Sequence, residues 1–296
     1  MKYALFLGCT VPVRAQNYEL ATRKVAQKLG IELVDINDFG CCGFPVKSVN
    51  REAATLLAAR NLSLAEEQGL NLLTLCSACT GILTEVNHEF KENEELKNRV
   101  NEKLSSAIGR KYQGTVEVKH LSRMLYEDLG LEKIKEAVVQ ELSGSSFAPH
   151  YGCHYTKPSE IYGRFDDPEH PQSLDRLIEV TGAKPLWYED RTECCGGAIL
   201  GIDEPTALKI AKAKLDHVKS VGANGLVLIC PFCDVMYEQN QKKIGKQSEI
   251  DYELPIIYYP QLLGLALGIP QTELGFNINR VKPKELLEKF GGNGTG

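Results

Sequence analysis

Ten cysteines dominate the chemistry open to this chain: Cys9, Cys41, Cys42, Cys76, Cys79, Cys153, Cys194, Cys195, Cys230 and Cys233. They form two sets of five in the same order: a single cysteine, a Cys-Cys-Gly turn and a Cys-x-x-Cys pair. In the first set 31 residues separate Cys9 from Cys41 and 33 separate Cys42 from Cys76; the second set has intervals of 40 and 34. Four readings compete for such a pattern. Burial as a small hydrophobe serves a lone cysteine but not ten in matching sets. Disulfides fare poorly, because five is odd, a reducing compartment opposes them, and bonding adjacent residues falls outside ordinary disulfide geometry. A structural zinc site uses Cys-x-x-Cys as a half-site but needs only four thiolates, leaving one per set unused. Soft thiolates equally select iron–sulfur clusters, and an ordinary cubane also takes four. Five ligands with two adjacent suit an inorganic body larger than either, and the glycine after the pair then allows close approach of backbone to that core.

The elements that must position these thiols are duplicated with them. FLGCT matches HYGCH, and DINDFGCCG matches YEDRTECCG. An amphipathic helix follows each double cysteine, REAATLLAARNLSLAEEQG or EPTALKIAKAKLDHVKSVG, and leads into a buried strand, LNLLTLC or NGLVLIC. Past the last cysteine VEVKHLSRMLYEDLG corresponds to LPIIYYPQLLGLALG, closing on Gly130 and Gly268. Strand and helix alternate in each half, with a short helix expected after each Cys-x-x-Cys. This predicts an α/β fold of two pseudo-symmetric Rossmann-like parallel-sheet domains, residues 1–143 and 144–296, the second with a C-terminal tail. The asymmetry is Thr80 to Thr115, a helical hairpin rich in Glu, Lys and Asn, read as a charged, solvated insertion. Functional groups of open α/β sheets gather beyond the carboxyl ends of the strands, and the cysteines fall there in both halves.

Composition narrows the function classes. The chain has 296 residues, 43% of them hydrophobic, and a formal charge of −5. No basic excess marks a nucleic-acid binder. No apolar run approaches the ~20 residues of a membrane helix, and MKYALFLGCT lacks the features of a signal peptide, so cytoplasmic residence is expected.

The duplicated motifs GCT, FGCCGFP and CSAC, then YGCH, ECCGG and CPFC, resemble those of the B subunit of heterodisulfide reductase, over essentially the whole chain and with no cysteine missing. That resemblance implies that each set holds a noncubane [4Fe-4S] cluster and that the two clusters lie at the domain interface. It further implies reduction of the mixed disulfide of coenzyme M and coenzyme B to two thiols, a reaction of methanogenesis. Electrons would come through an iron–sulfur C subunit from a flavin-containing A subunit. Related proteins act on other disulfide or sulfur substrates, and a non-catalytic electron relay would carry the same ligands. Two facing clusters suit the reaction: each can deliver one electron and receive one sulfur, so no thioredoxin-like pair of free thiols is required.

The family's substrate is anionic at both ends, so cations beside the motifs are candidate clamps: Arg14 and Lys47 in the first half, Lys157 and Arg164 in the second. Against this stands ordinary solvated surface charge. His154, next to Cys153 where the first half has Thr10, is a candidate to protonate a released thiolate, or to hydrogen-bond a cluster sulfur or the backbone. His120, His170 and His217 lie away from the motifs and receive no role.

Overall fold

The computed structural model describes residues 1–291; residues 292–296, the end of the expected C-terminal tail, lie outside the described residues. Two four-stranded sheets carry the chain. The first contains β1 (Lys2–Phe6), β2 (Glu32–Asp35), β3 (Asn71–Thr74) and β4 (Val118–His120); the second contains β5 (Ser146–His150), β6 (Lys184–Pro185), β7 (Gly225–Leu228) and β8 (Ile256–Tyr258). All pairings are parallel, and the orders β2-β1-β3-β4 and β6-β5-β7-β8 are the same topology twice. The central strands are apolar along nearly their whole length, as in a sheet covered on both faces. Strand β6 is reduced to two residues at a sheet edge, where Pro185 has no N–H for a further partner. The duplicated α/β architecture read from the sequence is therefore the architecture observed.

Each double-cysteine turn passes through a single 3-10 turn into a 17-residue helix, Arg51–Glu67 or Glu204–Ser220. The start of each helix is fixed by a capping side chain, Asn50 accepting from the Ala53 N–H and Asp203 from the Thr206 N–H. Such caps contribute about 1 kcal/mol each, and here they also anchor the turn just upstream.

The segment after Cys79 departs from expectation. In the first half the Cys-x-x-Cys opens a 16-residue helix, Ser77–Glu92, paired with Glu94–Ile108, whereas in the second half the helix Pro231–Asp234 runs on as a π-helical turn, Val235–Gln239. Nor is the hairpin merely solvated. Val86, Phe90, Val100 and Leu104 are buried, and Asn101 exchanges hydrogen bonds with the Tyr112 backbone while the Tyr112 hydroxyl donates to Asn87. Charged residues of high helix propensity conceal one apolar stripe that packs on the helix Arg51–Glu67.

The halves dock by a reciprocal exchange. Helix Tyr259–Ala266, which follows β8, packs on Gln16–Lys28 of the first half, and helix Leu121–Met124, which follows β4, packs on Ser173–Glu179 of the second. Tyr18 stacks on Tyr258 with ring centroids 4.1 Å apart. One hydrophobic core runs through both sheets. Among the described residues no helix is long and apolar enough to cross a membrane.

Candidate metal centre

The strand order brings all ten cysteines to one end of both sheets. Cys9 and Cys153 follow β1 and β5, while Cys76 and Cys230 follow β3 and β7 and cap the helices that begin at Ser77 and Pro231. A helix N-terminus offers unpaired N–H groups that favour a thiolate, yet the two thiols divide the effect: Cys233 and Cys76 hold Cys230 well below its usual value, and Cys230 pushes Cys76 well above it. The two sets meet across the interface, with Cys76 Sγ and Cys230 Sγ 3.9 Å apart.

The sulfurs ring two adjoining hollows. Cys9, Cys42, Cys76 and Cys79 line the first, and all five cysteines of the second set line the other. Phe44, Ala78 and Phe232 form walls of both, so each half contributes an aromatic ring to the partition. Cys9 and Cys194 are exposed, whereas Cys42, Cys76, Cys79, Cys195, Cys230 and Cys233 are buried. Within each turn the backbone serves the sulfur: Gly43 N–H points to Cys41 Sγ at 3.4 Å, Gly196 N–H to Cys194 Sγ at 3.3 Å, and Gly197 N–H to Cys195 Sγ at 3.4 Å.

Thiols so close cannot all ionise alone. Hydrogen bonds from Cys41 and Cys79 hold Cys42 down to about 4, and bonding to Cys42 together with burial pushes Cys41 far up. In the second set Cys153 and Cys195 hold Cys194 down to about 2, while Cys195 is pushed up to about 12 by its bond to Cys194. Each set thus holds a ready thiolate, and metal binding would displace the remaining protons. Soft sulfurs around two hollows, with N–H donors aimed at them, fit iron–sulfur ligation.

The turn glycine has a neighbour other than the inorganic core the sequence reading assigned to it. Gly43 has φ 94° and Gly196 φ 82°, the left-handed region that favours glycine. A Cβ on Gly43 would stand 2.5 Å from the Ala54 carbonyl oxygen, and one on Gly196 2.9 Å from that of Ala207. Both glycines lie against the backbone of the following helix, at its fourth residue.

His154 lines the second hollow with its ring edge-on to Phe44 at 5.0 Å, and burial lowers its pKa below the usual value. The Tyr162 hydroxyl donates to the His154 carbonyl at 2.8 Å. Lys47 is ion-paired with Glu85 at 2.5 Å and Lys157 with Glu169 at 2.9 Å. Arg164 is exposed, with φ 51°. Arg14 faces no carboxylate within ion-pairing distance among the described residues. It donates to Gln239 Oε1 at 3.2 Å and lines a cleft of about 390 Å³ that shares Thr10 and Phe232 with the first hollow. Arg280, not singled out from the sequence, lines the same cleft.

His120 also has a position the sequence did not reveal. Its Nδ1 accepts the Ser122 N–H, so Nε2 carries the proton and donates at 2.8 Å to the Ile229 carbonyl, just before Cys230. The Tyr18 hydroxyl reaches the same oxygen at 3.2 Å. Two first-half side chains therefore fix the backbone that presents Cys230.

These features define a duplicated cysteine-rich iron–sulfur protein. The CCG family, described as "Cysteine-rich domain", matches residues 3–84 and 147–238. The chain is 38% identical over 293 residues to the B subunit of the ferredoxin/F(420)H(2)-dependent CoB-CoM heterodisulfide reductase of Methanosarcina acetivorans, covering 98% of this chain and 97% of that one. It is 37% identical to the B subunit of a ferredoxin:CoB-CoM heterodisulfide reductase of Methanosarcina mazei with the same coverages. The "8-methylmenaquinol:fumarate reductase membrane anchor subunit" of Wolinella succinogenes is 33% identical, covering 96% of this chain and 99% of that one. A crystal structure of a hypothetical protein from Helicobacter pylori superposes with a TM-score of 0.79 at 19% identity, over 95% of this chain and 52% of that chain, a likeness of fold alone. The chain belongs to the family of heterodisulfide reductase B subunits.

Proposed function

We propose that this chain is the catalytic iron–sulfur component of a cytoplasmic heterodisulfide reductase complex, reducing the mixed disulfide of coenzyme M and coenzyme B. Its domains would be residues 1–143 and 144–296, each cysteine set would hold a noncubane [4Fe-4S] cluster, and its partners would be an iron–sulfur C subunit and a flavin-containing A subunit. The observation that carries the reading is the meeting of two complete five-cysteine sets across the interface, with Cys76 and Cys230 3.9 Å apart. Such clusters supply single electrons and iron sites for sulfur. The protein supplies the rest. Phe44 and Phe232 wall both hollows with apolar rings, the His154 ring lines the second hollow with a ring nitrogen to offer a departing sulfur, and Arg14 offers a guanidinium free of carboxylates to an anionic end of the substrate.

Metal content tests the reading directly. Anaerobically prepared protein is expected to carry about eight irons per chain, two clusters of four. About two zincs and negligible iron would overturn it. For Arg14, a charge-assisted contact of ~1.5–3 kcal/mol predicts that Arg14→Ala raises KM about tenfold or more with cluster spectra unchanged. A disulfide truncated to lack the matching anion should show no such penalty, and an unchanged KM for the full substrate removes Arg14 from the site.

A second reading, an electron relay without its own substrate, draws support from the Wolinella relative, whose name places it in a fumarate reductase. Added thiol substrates should perturb the cluster EPR of a catalytic protein and leave that of a relay unchanged.

A further inference from the structure

Because the halves are built alike, a difference between equivalent positions beside the cysteines has a meaning that neither half shows alone. Strands β1 and β5 are each five residues long and end three residues before a cysteine, on Phe6 in one and His150 in the other. The helices after the double-cysteine turns are each 17 residues long, and their eleventh residues are Asn61 and Lys214. The surroundings correspond too. A Cβ on Gly8 would meet Cys79 Sγ and Phe6 Cε1, and one on Gly152 would meet Cys233 Sγ and His150 Nε2.

Asn61 and Lys214 both hold the double-cysteine turn, with different charge. Asn61 accepts the Gly40 N–H at 2.9 Å and donates to the Cys41 carbonyl at 2.9 Å. Lys214, fully buried, donates to the carbonyls of Asp190 and of Glu193, the latter at 3.0 Å. Its Nζ also lies 3.4 Å from His150 Nδ1. An ammonium only donates, so Nδ1 is the acceptor and the ring's proton sits on Nε2, 3.2 Å from Cys233 Sγ. The two carbonyls and Nδ1 are three acceptors for the three N–H bonds of an ammonium. The result is a chain from ammonium to imidazole to ligand sulfur. In the first half, Phe6 has no N–H to offer Cys79, and its ring meets Phe39 edge-on at 5.1 Å.

Resting on the reading that each set holds a cluster, we infer that Lys214, acting through His150, makes the second site the more easily reduced of the two, so that the first electron delivered to the protein resides in the second half. A hydrogen bond to a ligand sulfur and a nearby positive charge both favour the more negative, reduced state of an iron–sulfur centre. The step is the transfer of one electron from a one-electron donor of the ferredoxin class, or dithionite in vitro, with no bond made or broken. Lys214 and His150 are positioning residues here, since neither touches substrate.

The test is a redox titration of the full, anaerobically loaded chain, followed by EPR, with iron and sulfide quantified in each sample. Wild type should show two one-electron waves. Lys214→Asn, which gives the second half the residue of the first, should shift the oxidised-to-reduced ratio of the higher wave at fixed potential at least tenfold toward oxidised, about 59 mV for one electron. The lower wave should stay in place. His150→Phe should act in the same direction, Lys214→Arg should retain most of the wild-type position, and Asn61→Ala should leave the higher wave unmoved. Lys214 also holds the turn, so if Lys214→Asn loses its iron, His150→Phe carries the test, because His150 reaches the sulfur without supporting the turn. Coincident waves in wild type, or unshifted waves in a variant with full iron, overturn the inference and leave the cluster reading standing. Wild-type protein without iron–sulfur signals overturns both.

Discussion

Replacing Cys42 or Cys195 by alanine is expected to remove roughly half of the bound iron, that of its own half, and to lower disulfide reduction by at least ~10³-fold, as for groups that act as a unit. These are the inner thiols of the two turns, only 2% and 6% exposed. Cys42 shares the lining of its hollow with Cys76 and Cys79, and Cys195 shares that of its own with Cys230 and Cys233. Losing an inner thiol therefore removes a sulfur from the lining of its hollow. The outer cysteines Cys41 and Cys194 are more exposed and sit where water or an added thiol can substitute. The asymmetry of the measurement is the informative part. Cleaving a disulfide with two electrons leaves two thiolates, and if each half takes one of them, destroying one site stops turnover while the other half keeps its EPR signal. Near-normal turnover with one site emptied would sink the two-site reading. Simultaneous loss of both signals would show instead that the two sets assemble as one unit, as the 3.9 Å contact between Cys76 and Cys230 permits.

What was legible in the sequence follows from which interactions are local. The cysteine spacing and the strand runs that end near the cysteines are read along the chain, and the two sheets carry them as expected. The hydrogen bonds from Tyr18 and His120 to the Ile229 carbonyl join residues 211 and 109 positions apart, and no periodicity encodes them. The apolar stripe of the helical hairpin was hidden because Asn87 and Asn101, which look solvated in sequence, spend their amides on the buried backbone of Val116 and Tyr112. Lys214 was hidden for a related reason: a lysine in a helix rich in lysine reads as surface until its Nζ is seen to reach two carbonyls beneath the turn. A signal did exist. Laying the two repeats against each other pairs Phe6 with His150 and Asn61 with Lys214, and a difference in charge between repeated positions beside matching cysteines is written in the residue types alone.

The glycine of each turn supports the second large effect, and here the two halves predict different sizes. Gly43→Ala forces an L-residue to φ 94° and brings its Cβ to 2.5 Å from the Ala54 carbonyl oxygen and 3.0 Å from Ala54 Cα, all backbone atoms of a helix capped at Asn50. Left-handed strain and overpacking against atoms that cannot rotate away cost about 1–3 kcal/mol each, so a loss of about 3 kcal/mol is expected. Gly196→Ala meets the equivalent Ala207 oxygen at 2.9 Å and Cα at 3.2 Å, a looser fit that should cost less. Gly40→Ala is the control, because Gly40 lies outside the left-handed region and its Cβ would meet only Arg60 Nη1 at 3.6 Å, giving a change within about 0.5 kcal/mol. Urea unfolding of the three variants should rank them Gly43, Gly196, Gly40 from most to least destabilised. Iron should be lost in the same order, because relieving the clash displaces the Cys41-Cys42 turn from the helix that seats it. If Gly43→Ala unfolds with Gly40→Ala and keeps its iron, the turn is not held by the helix backbone, and the glycine is there for the inorganic core after all.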